Sequence, residues 1–213
     1  ALLGAAWASA ASAQVAHARA LHFAANLVVP QSRTFGLHAS KAVRIAGVRA
    51  GVVIVEQAAT TTLQIELQNP TGRRQEAELL VPVPEGAAVR GFAFQGTAAE
   101  PTARLLPRDE AKATYKAIVA KIRDPALLEF AGLNLIRSSV FPVAPHGTQT
   151  VRLTYEHVLA ADGARVDYVL PRSESIHMNV PWQISVKIKS KQPVATVYSP
   201  THPIETVRAG AGV

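Results

Sequence analysis

A chain of 213 residues with 48% apolar and only 17% charged side chains can bury a sizeable core, which excludes a disordered tail or linker. With no cysteine, disulfides, thiolate metal sites and cysteine nucleophiles are excluded as well. The formal charge of +7 and the pI near 10.1 raise the question of an acidic partner. Yet Arg44, Arg49, Arg73, Arg74, Arg90, Arg104 and Arg152 stand singly or in pairs between apolar residues, and aromatics make up 6%. That is not the stripe of positive charge with stacking rings that marks a nucleic-acid binder, so no nucleic-acid partner is expected, and weak attraction to anionic glycans stays open.

In chain order, residues 1–18 carry no charge before His17 and are rich in alanine, with Leu2, Leu3 and Trp7. Ala11-Ser12-Ala13, followed by Gln14, has the small-residue spacing of a signal-peptide cleavage site. The stretch is short and weakly apolar for a membrane span of about 20 residues. Without an initiator Met or basic start it reads as an incomplete signal peptide, and the expectation is export to the periplasm, cell surface or medium.

From about Val43 the pattern changes to two-residue alternation. Leu63, Ile65 and Leu67 point one way and Thr62, Gln64, Glu66 and Gln68 the other, until Asn69-Pro70-Thr71-Gly72 breaks the strand. A second strand puts Ala77, Leu79, Val81 and Val83 on one face, with Glu76 and Glu78 expected on a solvated face. Pro82 and Pro84 favour a sheet edge or strand end there. Another strand is expected near Val89 to Phe94. A helix is predicted over about 107–123, where Ala111, Tyr115, Ile118 and Ile122 recur at helical spacing. Asp109 and Glu110 in its first turn and Lys121 and Arg123 in its last suit the helix dipole, and Asp124-Pro125 stops it.

Strands resume from Leu133 to Val143, turn at Pro145-His146-Gly147, and alternate again through Val151, Leu153 and Tyr155. Ala161-Asp162-Gly163 signals a hairpin before Val166, Tyr168 and Leu170. After Pro181, Trp182, Ile184, Val186 and Ile188 alternate with Gln183, Ser185, Lys187 and Lys189, and Val194 to Tyr198 reads in the same style. The sum predicts a mainly β fold, an antiparallel β-sandwich with one α-helix.

Chemistry is sparse. The seven histidines are isolated, no H-E-x-x-H or nucleophile elbow occurs, and no glycine run makes a phosphate cradle, so no metal, cofactor or catalytic residue is expected. Ser138-Ser139 reads as strand hydroxyls. The ordered basic feature is Lys187, Lys189 and Lys191, which on a strand would project to one side, either to meet an acidic partner or to guard an edge against aggregation. Together with the loops around Pro145-His146-Gly147 and Pro107-Arg108, and so with His146 and Arg108, these lysines are the candidate interaction surface.

The ordered set of signals resembles the vault protein inter-alpha-trypsin (VIT) domain. It includes Ala59-Thr60-Thr61, Asn69-Pro70, Glu76-Ala77, Val81-Pro82-Val83-Pro84 and Ala87-Ala88-Val89. It continues with Arg108-Asp109-Glu110-Ala111, Tyr115, Ala126-Leu127-Leu128-Glu129, Ser139-Val140-Phe141-Pro142, Tyr155 and Leu159. The resemblance covers about residues 41–171 and, in Arg123-Asp124-Pro125-Ala126-Leu127-Leu128-Glu129, looks bacterial in type. Leu79 and Val81 stand where the family often has aromatics, and Pro145-His146-Gly147 replaces its usual Pro-Gly-Glu turn.

The resemblance implies a non-catalytic interaction or scaffold module. In this family a von Willebrand factor A domain usually follows, and residues 172–213 would be strands leading to it. That domain would be the module's partner, with an extracellular protein or anionic glycan as a further one. Two other readings stay in view. A hydrolase would need His146 or His157 to meet Ser138 or Asp162. A protease-inhibitor-like module is suggested by the family name and opposed by the lack of cysteine.

Overall fold

The computed structural model describes residues 27–28, 43–95, 102–107, 109–111, 113, 134–171 and 180–208. The eleven strands among them are β1 (Leu27–Val28), β2 (Arg44–Val55), β3 (Ala58–Gln68), β4 (Gln75–Val83), β5 (Ala88–Gln95), β6 (Thr102–Leu105), β7 (Asn134–Val143), β8 (Thr148–Val158), β9 (Ala161–Asp162), β10 (Arg165–Val166) and β11 (Trp182–Lys189). A five-stranded sheet, in the order β11-β2-β3-β8-β5, faces a four-stranded sheet in the order β1-β4-β7-β6, and β9 and β10 form a separate hairpin. The mainly β sandwich expected from alternation is what the chain forms. Each sheet also takes one parallel strand at an edge, β11 on β2 and β1 on β4, a direction that alternation alone does not encode.

The core lies between the sheets. Leu63, Ile65 and Leu67 of β3 are fully buried, with Val151, Leu153 and Tyr155 of β8 beside them and Ala77, Leu79, Val81 and Val83 of β4 opposite. Each buried Leu, Ile or Val is worth about 2 kcal/mol of transfer energy, so this double row outweighs any surface contact in holding the fold. β2 keeps both Ile45 and Val48 inward because its register with β3 shifts between Ile45 and Gly47, a bulge that resets the alternation.

The smaller sheet is buried on its second face too. Leu106, Ala111 and Leu135 pack together there, and Leu80 is also buried. Glu78, expected on a solvated face, is only 4% exposed and pairs with Arg137 of β7. On the same face residues 109–111 and 113 are helical, Ala111 N donates to Pro107 O at 2.8 Å, and Ala111 packs with Leu106 and Leu135. The rest of the helix expected over 107–123 lies outside the described residues, as do residues 1–18. Pro82, expected at a sheet edge or strand end, lies near the end of β4 opposite Leu135 of β7, past Leu79, the last residue of β4 that pairs with β1 among the described residues.

Val194 to Tyr198, expected to continue as strand, carries no secondary structure and is exposed. Among the described residues no helix is long and apolar enough to cross a membrane.

Candidate functional site

β11 is the last strand of the five-stranded sheet, and it is joined to β2 over eight consecutive residue pairs from Trp182↔Val48 to Lys189↔Val55. This register puts Lys187 and Lys189 beside Val53 and Val55 on the outer, solvent-facing side. Ile184, Val186 and Ile188 fall beside the buried Ala50, Val52 and Ile54 on the inner side. Lys191 does not join the row. β11 ends at Lys189, and Lys191 lies in the following bend, where its backbone N–H donates to Glu56 Oε1 at 2.6 Å. Two of the three lysines therefore share a strand face.

Glu56 explains how this end is built. It stands at the tight β2–β3 turn with φ of +54°, a position where a two-residue hairpin usually places glycine. Its N–H donates to Lys189 O at 3.0 Å, and its carboxylate also accepts from Ser190 Oγ at 3.3 Å. The side chain that makes the turn awkward thus fastens the end of β11 to the sheet. At the other end Val48 N donates to Pro181 O, and Arg49 Nε donates to Gln183 Oε1 at 3.2 Å. Elsewhere on the outer face Arg90 pairs with Glu156 at 2.6 Å, and the Thr62 and Thr154 hydroxyls meet at 3.1 Å.

His146 lies well away from this strand in the chain, in the turn between β7 and β8. Gly147 N donates back to Ala144 O at 3.1 Å, and His146 N donates to Thr71 O at 3.0 Å. His146 takes φ of +51°, the left-handed conformation that a Pro-Gly turn gives to glycine. The exposed imidazole lies over Gly72, its Nε2 3.5 Å from where a Gly72 side chain would begin.

Both turns are held by Asn69, which is fully buried. Its Nδ2 donates to Arg73 O, Val143 O and Ala144 O at 2.7, 3.0 and 2.9 Å, and its Oδ1 accepts from Thr71 N and Thr71 Oγ1 at 2.9 and 2.8 Å. Arg108, the remaining candidate, lies outside the described residues.

The residues that a hydrolase would need are distributed over different elements. Ser138 is buried on β7, between the core residues Ile136 and Val140, while Asp162 is exposed in the β9–β10 hairpin. His157, on β8, lies between the rings of Tyr155 and Tyr168, at centroid distances of 6.1 and 5.9 Å. Burial holds its imidazole below the usual histidine range. Burial also raises the phenols of Tyr155 and Tyr168, and Tyr168 OH meets Thr61 Oγ1 at 2.8 Å. This cluster closes one end of the core with Val52, Ile54, Ala59 and Leu159. Among the described residues no group of three or more His, Asp or Glu is placed to hold a metal ion.

The sequence placed the lysines but not the exposure of Ile184, Val186 and Ile188 behind them, because alternation assigns a residue to a face and does not say whether that face is covered. The lone Glu in the run Val55-Glu56-Gln57-Ala58 was the available signal for the turn that fastens it.

Two comparisons bear on this arrangement. The family model described as the vault protein inter-alpha-trypsin domain matches residues 45–155, more than half of the chain and running from β2 into β8. No curated protein matches the chain.

Proposed function

The chain belongs to the vault protein inter-alpha-trypsin domain family, and from that premise we propose that it is a non-catalytic interaction and scaffold module of an exported or cell-surface protein. In this reading the protein is of bacterial type, and the module braces a following von Willebrand factor A domain of the same polypeptide. The observation that carries the reading is β11. This strand lies beyond the matched residues yet is built into the sandwich in unbroken register, and it leads into residues 190–208, which expose Val194, Val197, Tyr198, Ile204 and Val207. Apolar side chains in such number on an extended segment suit a segment that is covered by a neighbour. Extracellular proteins or anionic glycans are the outside partners that the basic charge suits.

Calorimetry of the native polypeptide tests the bracing role. Deleting residues 43–208 should lower the melting temperature of the domain that remains. An unchanged transition in that domain would sink the scaffold reading.

A further inference from the structure

The two backbone bonds that bracket β11, from Val48 N to Pro181 O and from Glu56 N to Lys189 O, fix the phase of its parallel ladder. In a parallel pair, alternate residues turn their backbone groups to the same neighbour. The odd-numbered residues from Pro181 to Lys189 therefore face β2, and Ile184, Val186 and Ile188 turn their N–H and C=O groups to the edge that pairs with no described strand. The same three residues, whose side chains lie on the inner side, are 45, 49 and 39% exposed.

An edge of this kind is normally blunted by a bulge, a proline or an inward-pointing charge. β5, at the opposite edge of the sheet, shifts register between Val89 and Gly91. β11 has no shift in eight pairs and no proline, and its two lysines point outward and leave the inner side apolar.

We propose that β11 accepts an added strand from a separate acidic partner protein, a segment in which apolar and acidic residues alternate. Its backbone pairs with Ile184, Val186 and Ile188. Its apolar side chains extend the strip those residues make, and its carboxylates lie beside Lys187 and Lys189. Backbone pairing supplies affinity, while the alternating side chains supply selectivity. A second copy of this chain is a poor occupant, because each copy carries +7. The acidic–apolar run of this chain, Glu76-Ala77-Glu78-Leu79, is already paired within β4. The inference rests on reading the chain as an interaction module and names the surface and partner chemistry of that module.

The test titrates a capped, dye-labelled peptide of about eight residues, alternating valine and glutamate, into the 213-residue chain and follows fluorescence anisotropy. Controls are a valine–lysine alternate and a peptide with the same valines and glutamates in two blocks. The glutamate alternate should bind best and slow amide exchange at Ile184, Val186 and Ile188. The double variant Lys187→Glu/Lys189→Glu should weaken it about tenfold and favour the lysine alternate instead. Val186→Pro removes an edge-facing donor without touching the β2 ladder and should abolish binding of both; if that variant does not fold, the charge-reversal pair decides.

The proposal is overturned if the blocked peptide binds as well as the alternating one, if protection appears elsewhere, or if sedimentation shows a dimer that already protects β11. The calorimetric coupling described above is independent of the peptide. Failed binding with coupling intact removes only the edge proposal, and lost coupling with binding intact removes only the scaffold reading.

Discussion

Replacing Asn69 should be the most damaging single polar change in the described structure. The Asn69→Ala variant loses the donors to Arg73 O, Val143 O and Ala144 O and the acceptor for Thr71 N and Thr71 Oγ1. Each bond is worth about 1 kcal/mol net, and a buried carbonyl left unpaired costs about 1–3 kcal/mol, while water can reach part of the turn. The expected loss is about 3 kcal/mol, or roughly 6–12 °C in melting temperature for a chain of this size. Asn69→Asp removes the same donors and turns a carboxylate toward three carbonyl oxygens, so at neutral pH it should fall below Asn69→Ala. The sign with pH follows. The folded state favours the protonated form of that new carboxyl, so its pKa is raised above the ordinary value of about 3.9. The deficit relative to Asn69→Ala should therefore be absent below about pH 4 and grow as pH rises through the folded pKa. Urea unfolding of both variants at several pH values, followed by far-UV circular dichroism, measures it. A loss under about 1 kcal/mol for Asn69→Ala, or an Asn69→Asp variant at least as stable at pH 7, would refute the reasoning.

Glu78→Gln, which removes the carboxylate that pairs with Arg137, should cost about 3 kcal/mol, whereas Glu78→Leu/Arg137→Leu together should come within about 1 kcal/mol of the parent in the same assay. His146→Gly relieves the positive φ and should raise stability by up to about 1 kcal/mol after the added freedom of the unfolded chain is subtracted. Gly147→Ala should lower it by about 1–3 kcal/mol, since the new methyl would stand 3.0 Å from Ala144 Cβ and 3.2 Å from its carbonyl oxygen. His157, held neutral by burial, binds its proton more weakly folded than unfolded, so its contribution is complete above about pH 6.5 and is lost as pH falls through that value toward the folded pKa. Melting curves of the parent and His157→Gln should converge as the pH is lowered, and parallel curves would contradict this.

Alternation carried most of the sandwich. The inward rows of β3, β4 and β8 are legible because apolar residues repeat every second position and the turn residues between them interrupt the repeat. The same logic failed at Glu78, where alternation with Ala77 and Leu79 says only that the side chain leaves the core, not that a second layer covers it. β1 and β6 are too short to carry a periodic signal, two and four residues long. The parallel placement of β11 depends on a partner more than a hundred residues away. At the candidate surface the residue types were readable and the register was not: Lys187 and Lys189 share a face, Lys191 lies past the strand end, and the exposure of Ile184, Val186 and Ile188 opposite them is a tertiary property that alternation does not encode. Asn69 was visible as a turn residue, but its hold on the β7–β8 turn comes from tertiary contact.

The most direct test of the module as part of a larger exported protein is the intact mass of the native species, taken from fractionated cells of the source. The account predicts a mature protein well above 22.6 kDa in an exported fraction, with the alanine-rich start removed near Ala13. A species at or slightly below that mass, or one held unprocessed in the cytoplasmic fraction, would contradict it.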